Sequence, residues 1–216
     1  MPGVFLFFFK NVENVQEDSL KEGNIRNLKS IVLQPRFLQA ITAAAFAYAV
    51  MSFLMTATPL SMHVMENMSL KETGLVLQFH VVAMFLPSLI TGNLIKKYGH
   101  SAIIYGGVLF FFITVLLSLF EQTYLNYMLS LIFLGLGWNF LFISGTSLVV
   151  LTYNKEEKFK VQGINDLIVF STMALASLSA GILLNSIGWK MMNLICIPFL
   201  VLIIFVSFMA DKKSVS

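Results

Sequence analysis

The chain has 216 residues, 57% hydrophobic and only 12% charged, with a net charge of +3. A soluble domain carries about twice that charged fraction. The composition therefore excludes a soluble enzyme, a disordered chain and a nucleic-acid binder, and a mean hydropathy of +0.83 points to membrane spans. The single Cys196 lies in an apolar run, so neither an intrachain disulfide nor a cysteine metal site can form.

In chain order, the opening MPGVFLFFFK is a short apolar stretch with no basic start and no small-residue cleavage site. It reads as the end of a preceding helix rather than a signal peptide. Residues 11–36 are polar and mixed in charge, with an interfacial helix expected over Ile25–Leu33 and Pro35 ending it and opening a membrane helix. A bilayer core of about 30 Å needs roughly 20 helical residues. Six segments meet that length: Phe37–Pro59, Leu75–Ile95, Ser101–Phe120, Tyr124–Leu151, Ile164–Ile187 and Met191–Ala210. They must be helices, because every backbone N–H and C=O in hydrocarbon needs a partner. The resulting division is a cytoplasmic segment (1–36), a six-helix bundle (37–210) and a cytoplasmic tail (211–216).

Basic residues orient the bundle. One side holds Lys21, Arg26, Lys29, Arg36, Lys96, Lys97, Lys155, Lys158, Lys160, Lys212 and Lys213, and the other only Lys71 and Lys190. The rich side is expected to be cytoplasmic, with both termini there.

Shifting the chain by 89 residues lays Gly74–Gly99 over Gly163–Gly188 with eight of 26 positions identical, including the shared pattern S-L-x-x-G-x-L-x-x-x-x-G. Spans one to three thus repeat as spans four to six. Because three is odd, the second copy is inverted, an architecture of secondary transporters. Gly92 and Gly181 are expected to let neighbouring helices approach closely. Gly99 and Gly188 are expected to end their helices in the left-handed αL conformation.

Several polar groups fall at membrane depth, where they face an interior or a cavity. Asn139 beside Trp138 can hydrogen-bond a ligand or a neighbouring helix. Gln78 and His80 lie in the outer part of the second span, and His80 can carry a proton or bond a neighbour. Tyr48, Ser52 and Met55 share a face of the first span, with Thr56 beside them. Asp166 can cap the fifth helix beside Asn165, or reach Lys96 or Lys97 as a gate. Pro59 and Pro87 are expected to kink or end their helices.

The stretch HVVAMFLPSLITGNLIKKYGH (His80–His100) resembles the second helix and following inner loop of a major facilitator superfamily half. Gly92, Leu94, Lys97 and Gly99 fit the loop pattern G-x-L-x-D-R-x-G-R, while Lys96 replaces the acid and His100 the last Arg. That degenerate form is more like the C-terminal half. LQPRF (Leu33–Phe37), GWNFLFISGTSLVV (Gly137–Val150), QGINDLIVFSTMALASLSAG (Gln162–Gly181) and IGW (Ile187–Trp189) resemble the approach to the seventh helix and the tenth and eleventh helices of bacterial members.

The resemblance covers about residues 25–210 and implies an all-α membrane bundle, the last six of twelve helices. It implies secondary transport of a small, unidentified solute by alternating access in the bacterial inner membrane. The partners would be the lipid bilayer and a six-helix N-terminal half or a second copy. It makes Tyr48, Ser52, Gln78, His80, Trp138 and Asn139 candidates for the solute path, and Gly92, Lys96, Lys97, Gly99 and Asp166 candidates for the inner loop and gate. In this reading the third and sixth spans face lipid, as the cluster Phe110, Phe111 and Phe112 suits. The rival is a non-transporting scaffold or remnant.

No enzyme is expected. A rhomboid-like protease needs G-x-S-G and a later His, but Phe142 precedes Ser144 in that motif and no His follows His100. No cofactor, P-loop or metal motif is present, and His63, His80 and His100 are scattered.

Overall fold

The computed structural model describes residues 26–215. The apolar opening, Lys21 and Ile25 lie outside the described residues. Within them the chain is all-α, with no strand.

Asn27 caps a short helix, Leu28–Val32, whose Ile31 is buried while Leu28 is exposed. Pro35 then occupies the first turn of the next helix, where its missing N–H costs nothing. Five helical stretches are long and apolar enough to cross a membrane: Pro35–Met65, Leu70–Tyr98, His100–Ser118, Tyr124–Val150 and Lys155–Lys213. At 59 residues, the last would measure roughly 88 Å if straight, nearly three bilayer cores. It is folded at Gly188, whose φ of 75° and ψ of 171° are non-helical. Residues 158–187 and 189–215 are therefore the fifth and sixth spans, giving six in all.

The two copies of the repeat turn in the same way. Gly99 has φ 84° and ψ 162°, nearly the values at Gly188. Both lie in a region open essentially to glycine alone, but not in the αL well expected from helix capping. The reason is that each glycine joins two helices directly instead of ending one in a loop. Alanine at either position is expected to cost about 1–3 kcal/mol, read as a lower midpoint in a detergent thermal melt. An unchanged midpoint would mean that the turn relaxes.

The helices pack with the same symmetry. The first and fourth spans form the central pair. The second span lies on the fourth and the fifth on the first, while the third packs on the fourth and the sixth on the first. Exchanging copies leaves this pattern unchanged, as a 3+3 inverted repeat requires. The repeated leucines share their surroundings too: Leu89 is 78% exposed and Leu178 77%.

Glycines on the fourth span allow its close packing. A Cβ on Gly135 would stand 2.7 Å from the His80 carbonyl, one on Gly137 2.9 Å from the Gly107 carbonyl, and one on Gly145 2.7 Å from the Ala40 carbonyl. Those contacts bring the second, third and first spans against one helix. Gly92 and Gly181 do not play this role: a Cβ on Gly92 would meet nothing within 4 Å, and one on Gly181 only a Leu60 methyl at 3.8 Å.

Other expectations change as well. Phe111 is buried against Gly137 rather than facing lipid, because the third span packs on the hub helix. The second span breaks at Pro87, between Leu70–Phe85 and Ser88–Tyr98. After Pro59 the first span continues through a π-helical turn, Leu60–Met65. The fifth helix starts at Lys158, so Asp166 lies beyond its first two turns and cannot cap it. Helix also continues past residue 210 to Val215.

Candidate functional site

Aromatic side chains from four spans meet in one cluster. Trp138 and Phe142, one turn apart on the fourth span, stack with centroids 5.0 Å apart and planes at 14°. Tyr48 of the first span meets both edge-to-face, at 5.2 Å and 4.8 Å. Phe85 of the second span reaches Trp138 at 5.8 Å, and Phe170 of the fifth reaches Tyr48 at 6.0 Å. These are favoured arrangements of ring quadrupoles. Trp138 is buried, and its Nε1–H has no partner among the described residues. Phe85 and Phe170 are exposed at either end of the row and Tyr48 is half-buried between them.

A strip of hydroxyls adjoins this cluster. Tyr48, Ser52 and Thr56 follow one another at four-residue intervals along the first span. Thr56 Oγ1 lies 3.0 Å from Ser177 Oγ of the fifth span. Gln78 is exposed on the second span, away from His80.

Asn139 and His80 are tied up elsewhere. The Asn139 amide donates to the Met84 carbonyl at 2.7 Å and to Ser88 Oγ at 2.6 Å, and its Oδ1 accepts from Thr91 Oγ1 at 2.6 Å. It thereby supports the second span on both sides of the Pro87 break, where the helix loses backbone bonds. His80 is fully buried, with Nδ1 2.7 Å from the Leu131 carbonyl of the fourth span. A carbonyl only accepts, so Nδ1 carries the proton and Nε2 is left without a partner. Both side chains thus sit between the second and fourth spans, away from the exposed hydroxyls.

The basic end of the bundle carries two polar clusters that the sequence reading missed. Arg26 grips Glu157 through three bonds, Nε to Oε1 at 2.9 Å, Nη2 to Oε2 at 2.7 Å and its backbone N–H to Oε1 at 3.0 Å, and also donates to the Thr152 carbonyl. The Arg26 guanidinium, and after it the Asn154 amide, hold the Glu157 carboxyl down at about 2, against its ordinary 4.5. A depressed carboxylate stabilises the fold above its unfolded pKa and loses that contribution as pH falls through its folded value. The hold of residues 26–34 on the loop after the fourth span is therefore expected to weaken from about pH 4.5 downward and to vanish near pH 2. Hydrogen exchange of amides 29–34, corrected for intrinsic rates, checks this. Glu157→Gln should remove the pH dependence.

In the second cluster, Asp211 of the sixth span accepts from Arg36 Nη1 at 2.8 Å, Ser101 Oγ at 2.6 Å and Tyr105 OH at 3.1 Å. Gln39 bonds both Arg36 and Ser101. First, third and sixth spans are thus joined at one end. The available signal was that Arg36 and Asp211 are opposite charges flanking spans that end on the same side. Asp166, by contrast, is exposed, accepts from its neighbour Asn165 and forms no ion pair with Lys96 or Lys97, which are also exposed. Among the described residues, no group of His, Cys, Asp or Glu is arranged to hold a metal.

Comparison with known proteins gives a consistent assignment. The family model described as Major Facilitator Superfamily matches residues 3–174 and, in an overlapping match, 40–216. A riboflavin transporter, RfnT, of Brucella anthropi is 39% identical over 83% of this chain and 45% of its own length. Two uncharacterised transporters of this type from Bacillus subtilis, YdeG and YddS, are 27% and 32% identical over 88% and 72% of this chain, and over 44% and 37% of their own lengths. The chain spans about half the length of the curated relatives it matches, or less. With a bundle of apolar helices arranged as an inverted repeat, and with a family match across most of its length, this chain is a member of the Major Facilitator Superfamily.

Proposed function

We propose that the chain supplies the C-terminal six-helix half of a secondary transporter, and that it moves a small solute by rocking against another six-helix half around a midplane site. The aromatic row from Phe85 through Trp138 and Tyr48 to Phe170 carries this reading, because it draws one surface from the first, second, fourth and fifth spans. Those are the four spans left for the solute path by a family resemblance in which the third and sixth face lipid. A lone half would leave Thr56, Ser177 and Gln78 facing hydrocarbon, which is costly for polar groups. A partner half, or a second copy of this chain, would cover them. The basic end would face the cytoplasm by the positive-inside rule, placing both termini there, with the inner membrane of a bacterium as the setting.

Riboflavin is the first solute to test, since the relative of that name is 39% identical. Vesicles from cells expressing the chain in its native reading frame should show counterflow of labelled riboflavin that vesicles from a deletion strain lack. Equal counterflow from the two would remove riboflavin. Sequencing upstream of Met1 tests the half assignment: six further spans in frame support it, and an immediate stop with no partner half nearby counts against it.

A further inference from the structure

We infer that the groove between the first and sixth spans, at the basic end of the bundle, binds one phospholipid with a net negative headgroup. An acyl chain lies along Leu38, Phe205 and Met209, and the phosphate meets Lys213. The site needs the chain to sit in a bilayer and does not depend on transport.

The groove has a volume of about 210 Å³. Leu33, Pro35 and Leu38 form one wall, and Phe205, Val206 and Met209 the other. Leu33, Leu38, Phe205 and Met209 are all exposed, so nothing among the described residues covers it. Phe205, Met209 and Lys213 follow one another at four-residue intervals, so an apolar stripe on the sixth span ends in a cation. From Phe205 to Lys213 the helix rises about 12 Å. That is most of the roughly 15 Å depth of one leaflet's hydrocarbon. The two walls are also held together before any lipid arrives. Arg36 follows Pro35 and Asp211 follows Ala210, and their ion pair at 2.8 Å joins the helices beside the groove. A preformed site lowers the ordering cost of binding.

Charge sets the headgroup. Residues 29–38 and 203–213 carry Lys29, Arg36, Lys212 and Lys213 against one acid, Asp211. A basic pocket between membrane helices suits an anionic lipid headgroup. A zwitterionic one would leave the positive surplus unmatched.

The inverted repeat supplies a comparison within the molecule. The shift of 89 residues pairs Leu38 with Tyr127, Leu117 with Val206 and Glu121 with Ala210. Tyr127, Leu117 and Glu121 line the matching cleft at the other end, which has a volume of only about 10 Å³. There Tyr127 packs on Trp189 with centroids 5.2 Å apart, and the lining includes Glu121 but neither Lys nor Arg. One position of the fold is thus filled and acidic at one end, and open and basic at the other. Helix packing common to both copies does not account for the groove.

The test is native mass spectrometry of the full chain released from nanodiscs of phosphatidylglycerol and phosphatidylethanolamine in equal parts, with the same acyl chains. Expected is one phosphatidylglycerol retained per chain, in preference to phosphatidylethanolamine. Lys213→Gln should lower that preference about fivefold, the worth of one interfacial cation. Lys190→Gln, at the opposite end, should leave it unchanged. Leu38→Trp keeps every charge and fills the groove, so it should remove the bound lipid, whereas attraction to a merely basic surface would survive it. Phe205→Trp fills the groove from the other wall and serves if Leu38→Trp does not elute as a single species. Inorganic phosphate should not displace the lipid, because the groove holds the acyl chain.

Equal retention of the two lipids would overturn the inference. So would a preference that Lys213→Gln leaves unmoved or that persists with the groove filled, or displacement by inorganic phosphate alone. A chain that retains lipid only after residues 4–9 are deleted would overturn it too, and would make that apolar stretch the occupant.

Discussion

Gly145→Val is expected to give a chain that no longer purifies as a single folded species in detergent. The argument rests on what the new side chain meets. A Cβ at residue 145 would stand 2.7 Å from the Ala40 carbonyl, 2.9 Å from the Ala44 amide and 3.0 Å from the Ala44 methyl. Two of these are backbone atoms and none can swing aside, so relief requires parting the first and fourth spans. That pair is the centre of the bundle, against which the other four pack. Overpacking costs typically 1–3 kcal/mol where side chains can yield, and the upper end, about 3 kcal/mol, applies here. Gly137→Val should behave alike, since its Cβ would meet the Phe111 ring, at 2.8 Å for Cε1, and the Gly107 carbonyl. Gly92→Ala is the control: it meets nothing within 4 Å and replaces a poor helix former with a good one. A thermal melt followed by size-exclusion fluorescence separates these outcomes. Equal midpoints for Gly145→Val and Gly92→Ala would refute the hub assignment.

Asn139→Leu should be the next most damaging change. Leucine is close in volume, so the loss is of hydrogen bonds rather than of packing. Three bonds disappear, leaving the Met84 carbonyl and the Ser88 and Thr91 hydroxyls without this partner. Thr91 retains its bond to the Pro87 carbonyl, which softens the effect. At about 0.6 kcal/mol for an interhelical bond in a membrane, the sum is about 2 kcal/mol. The second span should also loosen at its Pro87 break, seen as faster exchange of amides 84–91. Thr91→Val removes one of the three Asn139 bonds together with the bond to the Pro87 carbonyl, and should show a smaller shift than Asn139→Leu. A ligand-contacting Asn139 would give the opposite pattern, with solute affinity lost and the melting midpoint kept.

These two residues mark the limit of what could be read without coordinates. Apolar run length sets the number of spans, because hydrocarbon forces each to satisfy its own backbone. The shift of 89 residues brought out the inverted repeat, and with it the paired turns at Gly99 and Gly188. Pro35 was legible as a helix start for a local reason, its missing N–H.

Rotation of each helix was not legible. A span that is apolar all round has no stripe to mark its inner face, so Gly92 and Gly181 looked as suitable for close packing as Gly135, Gly137 and Gly145. Only the neighbours distinguish them, and they show that the fourth span is the hub. For the same reason Phe111 reads as lipid-facing from sequence, and Asn139 reads equally as ligand contact or brace. Asp166 reads as a cap because the mixed stretch 158–163, with two lysines, breaks the apolar run there although the helix itself starts at Lys158. Sequence alone therefore determined the class, the span number, the repeat and the family resemblance, all of which depend on local composition or spacing. Tertiary structure decided which residues face one another: the aromatic row, the Thr56–Ser177 hydroxyl pair, and the Arg36–Asp211 and Arg26–Glu157 pairs. Each joins residues far apart in the chain, and their meeting depends on helix rotation and packing, which short-range patterns do not encode.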